Sequence, residues 1–197
     1  MPGTIDRRDV VRGLLADRGD LLVVAGLGAS AWDITAAGDQ ANNFPLWGGM
    51  GGAAMLGLGL ALAQPTRRVL VITGDGEMLM GLGALCTIAV KKPANLAVVV
   101  LDNEHYSETG GQETATRHGV DLAAMARGAG IADARIVTAL GGVATLRADI
   151  HAATAPLFAV VKVAAGNHPL VLPPREGAHL TARFREAVLG PAAHHQL

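Results

Sequence analysis

Apolar residues recur along this chain in two rhythms. Between Ile5 and Asp17 they fall at Val10, Val11, Leu14 and Leu15, the i, i+4 stripe of a helix lying on a core. Leu21 to Gly26, LLVVAG, is instead a continuous apolar run of strand length, as expected of a strand covered on both faces. The two signals then alternate. A short helix is predicted near Ser30 to Ala37, an extended piece at Asn42 to Pro45, a long helix rich in glycine and alanine, and a strand at Val69 to Thr73. A helix from Met78 to Val90, stopped by Pro93, leads to strand Asn95 to Asn103 and then to a polar loop, EHYSETGGQETATRHG. Helix Asp121 to Ala129, strand Arg135 to Thr138, helix Val143 to Ala152, strand Leu157 to Val163 and a C-terminal helix from His179 to Leu189 complete the series.

Alternating strands and helices imply an α/β fold of doubly wound type, a mostly parallel sheet with helices on both faces. Right-handed crossovers put the C-terminal ends of all its strands on one side, where ligands bind such sheets. The turn after Gly26, the Gly74-Asp75-Gly76 turn and Asn103 with its polar loop should therefore meet. One domain over residues 1–197 is expected, with 191–197 as a flexible tail.

Composition narrows the functional classes. Of 197 residues, 50% are hydrophobic and 17% charged, enough apolar surface for a large core. The net charge is −1 with no basic run, which argues against nucleic acid. No charge occurs from Gln40 to Thr66, but the clean apolar part, Met50 to Ala63, is 14 residues long, and a bilayer requires about 20. A buried helix is expected there, and no membrane span. Cys86 stands alone among apolar helical neighbours and is expected to be a buried structural thiol. The opening MPGTIDRRDVVRG is charged where a signal peptide would be apolar, so the expected setting is cytoplasmic. His118, His151, His168 and the His194-His195 pair are expected at the surface.

Two glycine patterns compete for the chemistry. GLGASA, Gly26 to Ala31, is half of a dinucleotide fingerprint but lacks the acidic residue about 20 positions on that a ribose needs. The stronger signal pairs Asp75, at the end of one strand, with Asn103, at the end of the next. The 25 residues between Gly76 and Asp102 accommodate one crossover helix, so the two side chains share a crevice. A carboxylate, an amide oxygen and a backbone carbonyl are hard ligands suited to Mg²⁺ or Ca²⁺. Gly74 and Gly76 allow close backbone approach, and the N–H groups of Glu77 and Met78 open a helix that can bind a diphosphate.

GDG followed by LDN at this interval resembles the diphosphate-binding domain of thiamine diphosphate enzymes. The resemblance implies that Asp75, the Asn103 side chain and the His105 carbonyl hold Mg²⁺. WGGMGGA, Trp47 to Ala53, is similar to the segment beneath the cofactor. It implies that the Gly48 carbonyl, followed by Gly49, accepts from the 4′-amino group, and that Met50 wedges between the two rings. The stretch Thr109, Gly110, Gly111 and Gln112 resembles a TGGQ segment lying over the thiazolium, and His105 and Tyr106 are expected to line the pocket.

In that family a separate pyrimidine-binding domain supplies the glutamate for N1′. Glu77, Glu104, Glu108 and Glu113 all belong to the diphosphate side, so the glutamate is expected on a partner α subunit in an α₂β₂ or larger assembly. The chain looks most like the split 2-oxo acid decarboxylases of this family, the sulfopyruvate β subunit and the C-terminal part of the phosphonopyruvate enzyme, from RRDVVRGLLA through SETGGQ. The implied activity is decarboxylation of a small 2-oxo acid; alternatives are a carboligase and a non-catalytic cofactor-binding subunit. After the last strand those decarboxylases carry an arginine-rich stretch, whereas this chain has AAGNHPLVLPPREG with only Arg175, which puts a sulfonate or phosphonate substrate in doubt.

Overall fold

The computed structural model describes residues 4–194. The chain begins with α1 (Arg7–Leu15), β1 (Leu22–Ala25), α2 (Ala29–Ala36), β2 (Asn43–Pro45), α3 (Ala53–Ala63) and β3 (Val69–Gly74). There follow α4 (Asp75–Met80), α5 (Gly83–Lys91), β4 (Leu96–Asp102), and a short hairpin of β5 (His105–Tyr106) and β6 (Gln112–Glu113). A 3-10 turn at Ala115–His118 leads to α6 (Leu122–Ala129), β7 (Asp133–Val137), α7 (Gly141–Ala152), β8 (Leu157–Lys162) and α8 (Gly177–Leu189). The tail predicted over 191–197 starts in a 3-10 turn, Gly190–His194, and its last three positions lie outside the described residues.

Six strands form one parallel sheet in the order β2-β1-β3-β4-β8-β7. Successive side chains of a strand point to opposite faces, and the four inner strands are apolar on both. Leu22 and Val24, Val69 and Val71, and Val98 and Val100 pack with α3, α5 and α6. Val23, Leu70, Ile72, Val99 and Val161 pack on the other face with Val10 and Leu14 of α1 and Leu146 of α7. The continuous apolar runs in the sequence arise from this double covering.

The structure departs from the sequence pattern in five places. The first helix starts at Arg7 rather than Ile5, because the Asp6 carboxylate caps it by accepting from the N–H groups of Arg8 and Asp9. Ile5 instead bridges in parallel to Val163 beside the sheet. The predicted helix from Met78 to Val90 is two helices. Its break at Gly81 lies against Gly51, where a Cβ on Gly81 would stand 2.3 Å from the Gly51 carbonyl oxygen. The polar loop after β4 folds as the β5-β6 hairpin and the 3-10 turn. Cys86 is exposed, not buried: α5 turns Ala84, Leu85, Ile88 and Ala89 inward, and Cys86 lies on the opposite face near Val90. His168, expected at the surface, is half-buried with Nε2 3.1 Å from Asp6 Oδ2.

Candidate functional site

The chain leaves β1 toward β2 on one side and leaves β3 toward β4 on the other, so the strand order reverses between β1 and β3. At such a switch point the connections diverge and leave a crevice outside the carboxyl ends of the strands. The cavity opens there. Leu27 and Ser30 line it from the β1 side, Gly74 to Glu77 from the end of β3, and Asn103 and His105 to Thr109 from the end of β4. Met50 approaches from the α3 side and Arg7 from α1.

Asp75 sits at the base, 1% exposed. Thr114 donates its hydroxyl to Asp75 Oδ2 at 2.5 Å, and Thr116 Oγ1 lies 3.2 Å from the same oxygen. Burial pushes the Asp75 carboxyl up to about 6, against the pull of the Thr114 hydroxyl, and the neighbouring charge of Asp102 adds to the rise. Among the described residues no cation pairs with this carboxylate, and a divalent ion would supply one.

The end of β4 is built from two consecutive side-chain turns. Asp102 Oδ1 accepts from the Glu104 N–H at 3.1 Å, and Asn103 Oδ1 from the His105 N–H at 3.0 Å. They hold Glu104 at a φ of 64°, in the left-handed region a glutamate rarely adopts. Beneath the turns, Lys162 Nζ donates to Asp102 Oδ2 and to Glu104 Oε1, both at 2.8 Å, and Arg117 Nη1 donates to Glu104 Oε2 at 3.2 Å. The Lys162 hydrogen bond holds the Glu104 carboxyl below the usual range. Thr116 donates to Asp102 Oδ1 at 2.8 Å, tying this network to the Asp75 cluster.

The structure brings together Met50, Gly74, Asp75, Gly76, Glu77, Asn103, His105, Tyr106 and Thr109 around one cavity. Gly74 faces open space, whereas the Tyr106 ring lies on Gly76, with Cε1 2.3 Å from where a Cβ would be. The Glu77 carboxylate accepts from Thr73 Oγ1 at 2.6 Å and from the Ala53 N–H at 3.2 Å, so it braces the start of α3. Met78 packs its side chain in the core. Gly48 and Gly49 are exposed before α3 and do not line the cavity. Gln112 is also exposed and pairs with Thr109, whose hydroxyl donates to Gln112 Oε1 at 3.0 Å.

Several residues of the site carried no reading in the sequence. Thr114, Thr116, Asp102 and Lys162 form the support under Asp75 and Asn103. Their one visible signal was Lys162, a lone charge closing the apolar strand LFAVVK. Ser30 and Arg7 also line the cavity, as does Glu108, which was expected on the diphosphate side.

The donors fit magnesium diphosphate: hard oxygens from Asp75, Asn103 and a backbone carbonyl, with a cavity beside them. The fold and site define a thiamine diphosphate-binding domain. The family described as thiamine pyrophosphate enzyme, C-terminal TPP binding domain, matches residues 26–164, and the chain belongs to it. The chain is 36% identical over 186 residues to sulfopyruvate decarboxylase subunit beta of Methanothermobacter thermautotrophicus, a match covering 94% of this chain and 95% of that one. It is 36% identical over 179 residues to phosphonopyruvate decarboxylase of Streptomyces viridochromogenes, covering 88% of this chain but 44% of that enzyme. Among solved structures, 4-hydroxybenzoylformate decarboxylase of Rhodococcus jostii superposes with a TM-score of 0.69 at 20% identity, over 85% of this chain and 34% of that one. Benzoylformate decarboxylase of Polynucleobacter necessarius gives 0.65 at 19% identity, over 83% and 34%. These two show the shared fold.

Proposed function

We propose that the chain is the diphosphate-binding subunit of a two-chain thiamine diphosphate-dependent decarboxylase of a small 2-oxo acid. The observation that carries this reading is its likeness, over nearly the full length of both chains, to a protein named as a decarboxylase beta subunit. The bound cofactor supplies the electron sink that loss of CO₂ from a 2-oxo acid requires. This chain's residues hold and orient it. Asp75, Asn103 and the His105 carbonyl hold Mg²⁺, Met50 supports the rings, and Tyr106 shields the diphosphate end from water.

The partner is a pyrimidine-binding α subunit that brings the glutamate for N1′, in an α₂β₂ or larger assembly. What supports this is the surface beside the ring segment. Gly48 and Gly49 are exposed, as are Trp47 at 41% and Met55 at 43%. Met80, 59% exposed, adjoins Gly51. Helix α3 is apolar on all sides, as helices buried within an assembly are. Arg175 is exposed and outside the cavity, which favours a 2-oxo acid without a second strongly acidic group.

The test is co-purification with a pyrimidine-binding subunit, followed by a screen of 2-oxo acids. CO₂ release is expected from the assembled pair and from neither chain alone. A stable pair that releases CO₂ from no 2-oxo acid would refute the reading.

A further inference from the structure

The cavity has a cationic end that the metal ligands do not explain. Arg7 lies in its wall and is 4% exposed. Its Nε donates to Asp33 Oδ2 at 2.6 Å and its Nη1 to the Gly166 carbonyl at 2.7 Å, while Nη2 has no hydrogen-bond partner among the described residues. Arg8 Nε donates to the other oxygen of Asp33 at 3.0 Å. One buried carboxylate therefore faces two guanidinium groups, and one positive charge is left over where water is scarce. A buried charge without a counter-ion is costly, so this arrangement calls for an anion.

Two further observations place that anion. Helix α2 begins beside this wall with no side-chain cap, leaving its first N–H groups for a ligand. Ser30, 3% exposed, lines the same cavity, and its hydroxyl has no hydrogen-bond partner among the described residues. An anionic group of the chain itself already stands there. A Cβ on Gly28, at the start of α2, would lie 2.7 Å from Glu108 Cγ, 2.8 Å from Cδ and 2.9 Å from Oε1. Burial pushes the Glu108 carboxyl up, and the positive charge of Arg7 draws it back down. Glu108 belongs to an exposed stretch between β5 and β6, so it can leave without disturbing the core.

We propose that Arg7, held in place by Asp33, binds the terminal phosphate of the diphosphate together with Ser30 and the start of α2, and that Glu108 occupies this position until the cofactor displaces it. The inference rests on the cofactor the family assigns and not on the identity of the 2-oxo acid. The elements that line the cavity support it. Met50 lies just before α3, Asp75 and Asn103 at the ends of β3 and β4, and Arg7 at the start of α1, and all four line the one cavity. A cofactor with its rings at Met50 and a phosphate at the metal leaves its terminal phosphate for the remaining cationic group, Arg7. No covalent bond changes; one carboxylate is exchanged for one phosphate against the same guanidinium.

The test compares Mg²⁺-thiamine diphosphate with Mg²⁺-thiamine monophosphate by calorimetry, on the full chain assembled with its partner subunit. Glu108→Gln is expected to bind the diphosphate about three- to tenfold more tightly, with the monophosphate little changed. Arg7→Gln is expected to lower the affinity for the diphosphate relative to the monophosphate by about tenfold or more, with Arg7→Lys recovering part of it. Circular dichroism and melting temperature report whether the Arg7 variants fold. If they do not, the Glu108→Gln ratio decides. An unchanged ratio of diphosphate to monophosphate affinity in Glu108→Gln, or in a folded Arg7→Gln, would overturn the proposal.

Discussion

Thr114 donates its hydroxyl to Asp75 Oδ2, joining the end of the β5-β6 hairpin to the end of β3 across 39 positions of sequence. The bond occupies one oxygen of a buried carboxylate and fixes the plane of the other. A metal ligand held in this way is expected to lose affinity when its support is removed. Thr114→Val should weaken Mg²⁺ binding by about 10- to 100-fold, while Thr114→Ser keeps it. Calorimetric Mg²⁺ titration in the presence of thiamine diphosphate checks both.

If Asp75 holds the metal as proposed, it is a buried carboxylate held at the expense of stability. Asp75→Asn keeps the shape and removes a charge that burial disfavours, so the metal-free variant should melt at the same temperature as the parent or higher. Its Mg²⁺-dependent cofactor binding should fall by on the order of 100-fold or more. Thermal denaturation and calorimetry on the same preparation separate the two effects.

The raised Asp75 carboxyl also fixes the direction of pH dependence. Without metal it takes up a proton as pH falls through about 6, and Mg²⁺ must then expel that proton to bind. Mg²⁺ affinity should be level above about pH 6 and fall about tenfold per unit below it. The metal-free chain has the opposite tendency: because the folded state favours the protonated carboxyl, this group's contribution declines as pH rises from 3.8 to about 6. Mg²⁺ titrations and melting curves between pH 5 and 8 test the two signs.

Gly26 is fixed by Glu77. A Cβ there would stand 1.6 Å from Glu77 Oε2 and 2.8 Å from Thr73 Oγ1, and Glu77 cannot move without losing its bonds to Thr73 and Ala53. Gly26→Ala should destabilise the chain by roughly 1–3 kcal/mol. Gly59→Ala, on the exposed side of α3 with nothing within 4 Å of the added carbon, should stabilise it by about 0.5–1 kcal/mol. Urea denaturation of the pair measures the contrast.

The strands and their order of appearance were legible because a strand covered on both faces leaves a continuous apolar run, as in Leu22–Ala25 and Leu96–Asp102. Asp75 and Asn103 were legible because a polar residue closing such a run must face the crevice. What escaped depends on contacts distant in sequence. The break at Gly81 is set by Gly51, and the exposure of Cys86 by which face of α5 meets the sheet. The role of Arg7 is set by Asp33 and Gly166, 26 and 159 positions away. In the sequence, Arg7 is one of two arginines opening a surface helix, with no sign that it is buried.

In the proposed enzyme, Asp75 anchors the magnesium diphosphate of an active site completed by another chain. The most direct measurement is 2-oxo acid-dependent CO₂ release by the assembled complex, carrying either the parent chain or Asp75→Ala. Release that requires both chains and disappears in Asp75→Ala, while the complex still assembles, is the predicted result; release that persists in Asp75→Ala would contradict the account.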